Sequence, residues 1–121
     1  DERTNRVEIR PQPFPDAVEI HTAYEPLKRS AEYTVLKVHL ITGKTHQIRA
    51  HLRAIGHPII GDPKYGRKNA NASYRSHDGV KSQLLHAWEL HFPETLDGPL
   101  RNLAGQAITA EPPKDFRPFL Q

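Results

Sequence analysis

The chain has 121 residues, 36% of them apolar, and contains no cysteine and no methionine. That length suits one domain or part of one, with a modest core. The lack of cysteine excludes disulfides, thiolate metal sites and cysteine nucleophiles and fits a reducing, cytoplasmic setting; no run approaches the ~20 apolar residues of a membrane span. Net charge is +3 and the sequence pI about 9.3, but the excess is concentrated. Between Lys44 and Arg75 seven bases face one acid, Asp62. Such a stretch is the electrostatic footprint of a polyanion site, or else a solvated basic face.

Residues 1–16 are polar and proline-rich, with no periodicity, which predicts an extended arm. From Ala17 to Tyr24 the chain alternates, placing Val18, Ile20, Thr22 and Tyr24 on one face of a strand. Glu25 to Ser30 is read as a turn around Pro26. Tyr33 to Ile41 alternates again, with Leu36, Val38 and Leu40 on one face, so the pair predicts an antiparallel hairpin.

At Thr42-Gly43-Lys44-Thr45 the period changes. Thr42 or Thr45 is placed to cap a helix over 45–55, in which Ile48, Leu52 and Ile55 form a narrow apolar stripe. Gly56 stands where a left-handed residue ends a helix, and Pro58 follows. Residues 57–80 read as loop, with turn chemistry at Gly61-Asp62-Pro63 and a mobile stretch over 67–80. Leu84 to Phe92 has strand period, Gln106 to Ala110 predicts a short strand, and Lys114 to Leu120 a helical turn behind Pro112-Pro113. The expected class is α+β: a largely antiparallel or mixed sheet with one or two short helices.

Several site chemistries are testable on spacing. Gly43-Lys44-Thr45 resembles the end of a phosphate-binding P-loop, but the pattern requires glycine at position 38, which is Val. The eight histidines supply no HExxH pair, and His46 and His51 lie about 140° apart on a helix, so a metal is not expected. No serine sits in a Gly-x-Ser-x-Gly elbow. Arg49, on the first turn of the helix, is either a surface arginine or a bidentate partner for a carboxylate; spacing alone favours the former.

The run Thr42-Gly43-Lys44-Thr45-His46-Gln47-Ile48-Arg49-Ala50-His51-Leu52-Arg53-Ala54-Ile55-Gly56-His57-Pro58-Ile59-Ile60-Gly61-Asp62-Pro63-Lys64-Tyr65-Gly66 closely resembles a signature of the RluA-type pseudouridine synthase family. Leu84-Leu85-His86-Ala87 and the two preceding strands resemble that family as well, so the likeness spans roughly residues 17–120. Lys44 and Ala50 stand where the family more often has Arg and Val. The resemblance implies an isomerase that turns uridine into pseudouridine in structured RNA, ribosomal RNA first and transfer RNA second, with no cofactor and no metal. In that family an aspartate attacks the nucleoside, the glycosidic bond breaks, and the uracil turns and rejoins through carbon 5. The target base must first leave its stack.

Carried onto this sequence, the family's active-site basic residue falls on Arg49, the partner that orients the nucleophilic aspartate. Its pocket-lining apolar residue falls on Leu85, or on Leu84 one place earlier. Lys44, His46, His51, Arg53 and Lys64 become candidates for contact with the RNA backbone. The nucleophile itself belongs to a His-Arg-Leu-Asp motif, and none of Asp1, Asp16, Asp62, Asp78, Asp97 and Asp115 has that context. None of Tyr24, Tyr33, Tyr65 and Tyr74 matches the family's active-site tyrosine. The resemblance therefore implies the C-terminal half of a catalytic domain, excised or processed, as the opening Asp1-Glu2-Arg3 also suggests. Such a half is expected to be inactive alone, and to self-associate or to pair with its N-terminal half. A stand-alone RNA-binding module without catalysis is the alternative, and a nucleotide-binding protein a third.

Overall fold

The structure is a computed structural model that describes residues 19–43 and 46–121. The expected arm, the first two residues of the strand over 17–24, and Lys44 and Thr45 lie outside those residues. The fold is α+β, with two small antiparallel sheets and a few short helices.

Strand β1 (Thr22–Arg29) pairs with β2 (Thr34–Leu40), Thr22 opposite Leu40 and Arg29 opposite Thr34. The second strand is where the alternation put it, but the first is not: it overlaps the expected span of 17–24 only from Thr22 to Tyr24 and runs on through the expected turn. Glu25-Pro26-Leu27 lies inside β1, and the chain reverses at Ser30, whose N–H donates to the Tyr33 carbonyl at 2.8 Å. Proline is tolerated here because β1 is an edge strand and the register shifts between Pro26 and Lys28, a bulge that absorbs Leu27.

Helix α1 (Gln47–Ala54) is shorter than the 45–55 expected and begins differently. Its N-cap is His46, in the left-handed conformation (φ 54°) and without a side-chain cap. Thr42, a proposed cap, instead donates its hydroxyl to the Gln47 side-chain oxygen at 2.8 Å. The C-terminus closes as the sequence indicates. Gly56 (φ 84°) donates to the Arg53 carbonyl at 3.0 Å and His57 to that of Leu52 at 2.9 Å, a Schellman ending.

The segment 67–80, expected as a loop, contains helix α2 (Lys68–Asp78), ended by Gly79 at φ 72°. It has no apolar stripe, and two side chains anchor it instead: Asn71 to the loop before it, and Tyr74 edge-on to Phe119, 5.6 Å between centroids. The strand expected over 84–92 contracts to β3 (Glu89–His91), which pairs with β4 (Ala107–Thr109). A 3-10 turn spans Gly98–Leu103, and a second at Lys114–Phe116 runs into α3 (Arg117–Leu120).

The core is thin. Ala50, Leu52, Tyr65, Val80 and Phe119 are its buried apolar residues among those described, and full burial of a side chain such as Leu52 contributes about 2 kcal/mol. The hairpin face bearing Tyr24, Leu36 and Val38 looks across a groove of about 610 Å³ at Ile48, Leu52 and Ile55 of α1. On the opposite face of β2, Lys37 reaches Glu89 at 3.4 Å and lies over the Trp88 ring at 5.3 Å, joining the two sheets. No helix among the described residues is long and apolar enough to cross a membrane.

Candidate active site

Gln47 fastens α1 to the open end of the hairpin. Its side chain is buried, and its amide nitrogen donates to the His21 carbonyl (2.9 Å) and to the Thr22 hydroxyl (3.0 Å). His51, one turn further on, reaches the same hydroxyl at 3.2 Å. These bonds set which way α1 faces: Arg49 is presented to the loop that follows the helix.

That loop turns at Gly61 (φ 85°) and folds back over α1. There Asp62 is fully buried and accepts four hydrogen bonds. Arg49 donates Nε to Oδ2 at 2.7 Å and Nη2 to Oδ1 at 2.8 Å, and the backbone N–H groups of Lys64 and Tyr65 donate to Oδ1 at 2.9 and 3.0 Å. Burial alone pushes the Asp62 carboxyl up, but the Arg49 hydrogen bonds and the two backbone donors outweigh it and hold it below the ordinary carboxylate range. The same hydrogen bonding raises Arg49 above its usual value. Asn71 locks the loop from α2, accepting from the Gly61 N–H (2.8 Å) and donating to the Asp62 carbonyl (2.9 Å).

Tyr65 lies beneath the pair, its ring centroid 5.3 Å from the Arg49 guanidinium carbon. Its hydroxyl is 3.1 Å from His46 Nδ1. Burial, with Arg49 and Lys64 nearby, pushes the His46 imidazole below its ordinary value.

Arg49 is therefore a bidentate arginine, not a surface one. The acid it meets is Asp62, within this chain, whereas the resemblance supplied only an acid from outside it. Two of the guanidinium's five donor hydrogens go to Asp62, and three, both of Nη1 among them, meet no acceptor among the described residues. Arg49 and Leu85 line one small cavity of about 290 Å³ with Leu40, Gly43, His46 and Ile48. Leu85 is 41% exposed there. Leu85 lines the larger groove as well, and Leu84 lines only that one.

The candidate RNA contacts are less uniform. Lys44 lies outside the described residues. His46 and His51 are half-buried with internal partners, and Arg53 donates to the Tyr65 carbonyl at 3.0 Å. Lys64 contributes its backbone N–H to the Asp62 turn. The sequence reading missed the positions of Gln47, Tyr65 and Asn71, and above all that of Asp62. The available signal was that Asp62 is the one acid among the seven bases from Lys44 to Arg75.

A family model described as RNA pseudouridylate synthase matches residues 2–54, which include the hairpin and Arg49. An RNA pseudouridine synthase of Chloroflexus aurantiacus is 38% identical over 119 residues, 98% of this chain and 34% of that protein. The ribosomal large subunit pseudouridine synthase D of Nitrosomonas europaea is 44% identical over 80 residues, 64% of this chain and 23% of that protein. The corresponding synthase C of Vibrio cholerae is 36% identical over 78 residues, again 64% of this chain and 24% of that protein. The chain thus spans about a third or less of the length of these relatives. No solved structure gives a significant match. Taken with the paired arginine on α1, the likeness assigns the chain, over the stretch it covers, to the RluA-type RNA pseudouridine synthase family.

Proposed function

We propose that this chain forms the arginine-bearing side of an RNA pseudouridine synthase active site that acts on ribosomal RNA. The observation that carries the reading is Arg49: gripped on one edge by Asp62, it has donors left for a second carboxylate in the cavity it shares with Leu85. In this reading the nucleophilic aspartate comes from outside these 121 residues, Arg49 orients it, and Leu85 packs against the displaced uracil. The basic stretch around α1 and α2 holds the RNA backbone by counterion release. The sheets fit such a partial domain, since each has two strands and leaves side chains such as Leu27, Leu40 and Ile108 exposed. The same edges favour self-association, or pairing with the half that supplies the aspartate.

The test follows from the chemistry. Joining carbon 5 of uracil to the ribose releases the hydrogen on that carbon, so tritium release from 5-tritiated uridine in unmodified ribosomal RNA measures turnover. The complete gene product that carries this chain is expected to release tritium, and residues 1–121 alone are not. Arg49→Ala in the complete product is expected to lower kcat/KM by several kcal/mol of transition-state stabilisation, of order 100-fold or more, with little recovery in Arg49→Lys. Wild-type kinetics in Arg49→Ala, or turnover by residues 1–121 alone, refutes the assignment. Binding of that RNA by the complete product without tritium release indicates a stand-alone RNA-binding module instead.

A further inference from the structure

We infer that Asp62 is a positioning residue for the reaction: held rigidly by its own loop, it clamps one edge of the Arg49 guanidinium and reserves the remaining donors for the attacking carboxylate. The inference rests on the reading of Arg49 given above.

The clamp is rigid for three reasons. The carboxylate is fully buried and accepts four N–H groups, so it cannot swing. The Asn71 amide holds the backbone on both sides of the Gly61–Asp62 link, and Gly66 N–H donates to the Asp62 carbonyl at 3.0 Å. The glycines that flank Asp62 leave no slack: a Cβ on Gly61 would lie 2.2 Å from the Ser82 carbonyl oxygen, and one on Gly66 2.4 Å from the Asp62 carbonyl oxygen. A long arginine side chain otherwise samples many rotamers, and misplacing a reacting group by about 1 Å costs on the order of 100-fold in rate.

Asp62 also sets the charge that the nucleophile meets. Arg49 is already balanced by one carboxylate, so a second one beside it is not held as a tight, inert ion pair. Among the described residues, the other titratable groups around the pair are His46, Lys64 and Tyr65. Removing the Asp62 charge leaves the site more positive and favours the ionised nucleophile, which moves the acid limb of the pH–rate profile to lower pH. A purely structural aspartate would not move that limb.

The experiment uses the complete gene product and the tritium-release assay. Asp62→Asn, checked for folding by circular dichroism, is expected to lower kcat by about 100-fold with KM little changed, and to shift the acid limb downward. In an Arg49→Ala background the same substitution is expected to cost little more, because Asp62 acts through Arg49. Asn71→Ala loosens the loop without altering a charge and is expected to lower kcat about tenfold, so it carries the test if Asp62→Asn does not fold. Undiminished kcat in a folded Asp62→Asn or Asn71→Ala, or losses from Asp62→Asn and Arg49→Ala that simply add, overturns the inference while the function stands. No tritium release from the unaltered protein overturns the function and this role together.

Discussion

Arg49 and Asp62 stand thirteen residues apart in the chain and meet edge to edge through two hydrogen bonds of 2.7 and 2.8 Å, with the Asp62 side chain wholly removed from solvent and the Arg49 side chain 11% exposed. The pair joins α1 to the loop that follows it. The Tyr65 ring centroid lies 5.3 Å from the guanidinium carbon, and Asn71 on α2 donates to the Asp62 backbone carbonyl. The ion pair thus ties α1 to the loop, and the Asn71 hydrogen bonds tie that loop to α2.

The first prediction is thermodynamic. Asp62→Ala leaves a nearly buried guanidinium without its acid and is expected to destabilise the chain by about 3–5 kcal/mol. Arg49→Met combined with Asp62→Leu is expected to cost less than Asp62→Ala alone, since neither charge is then left unpaired. Urea denaturation of the three proteins measures this. A double variant less stable than Asp62→Ala would contradict it.

Gly61 and Gly56 provide a matched comparison. Both have φ near +85°, so alanine at either is strained by about 1–2 kcal/mol. At Gly56 an added Cβ meets nothing within 4 Å, whereas at Gly61 it collides with the Ser82 backbone. Gly61→Ala is therefore expected to lower the melting temperature clearly more than Gly56→Ala, because the loop carrying Asp62 has to move. Equal shifts in the two melts would show that the loop is not tightly held.

Stability should also depend on pH in two separable windows. The Asp62 carboxyl is held below its ordinary value of 3.8, so as pH falls the unfolded chain takes up that proton first. Its contribution is complete above the ordinary value and is lost as pH drops through the folded one. The His46 imidazole is held below 6.5, so below that pH the unfolded chain gains a proton that the folded chain resists, and stability falls again until the folded value is passed. Melting temperatures between about pH 3 and pH 8 are expected to show both slopes. Asp62→Asn should flatten the acid one and His46→Gln the one nearer neutrality; slopes that survive both substitutions would assign them to other groups.

By itself the sequence determined the features that a few neighbouring residues can encode. Strand alternation placed β2 to within a residue or so at each end, and Gly56 marked the end of α1 through a conformation that glycine adopts without strain. The run from Thr42 to Gly66 carried the family likeness and pointed to Arg49. Beyond that reach, local reading failed for identifiable reasons. Pro26 resembles a turn until the bulge beside it is known, and α2 resembles a loop because Asn71 and Tyr74 anchor it in place of an apolar stripe. The acid that faces Arg49 was decided only by tertiary structure. Spacing along a chain does not say where a loop returns, and here the return depends on two glycines with no room for a side chain and an asparagine from the next helix. Where that loop lands determines the partner of the arginine and which of its donors remain for chemistry.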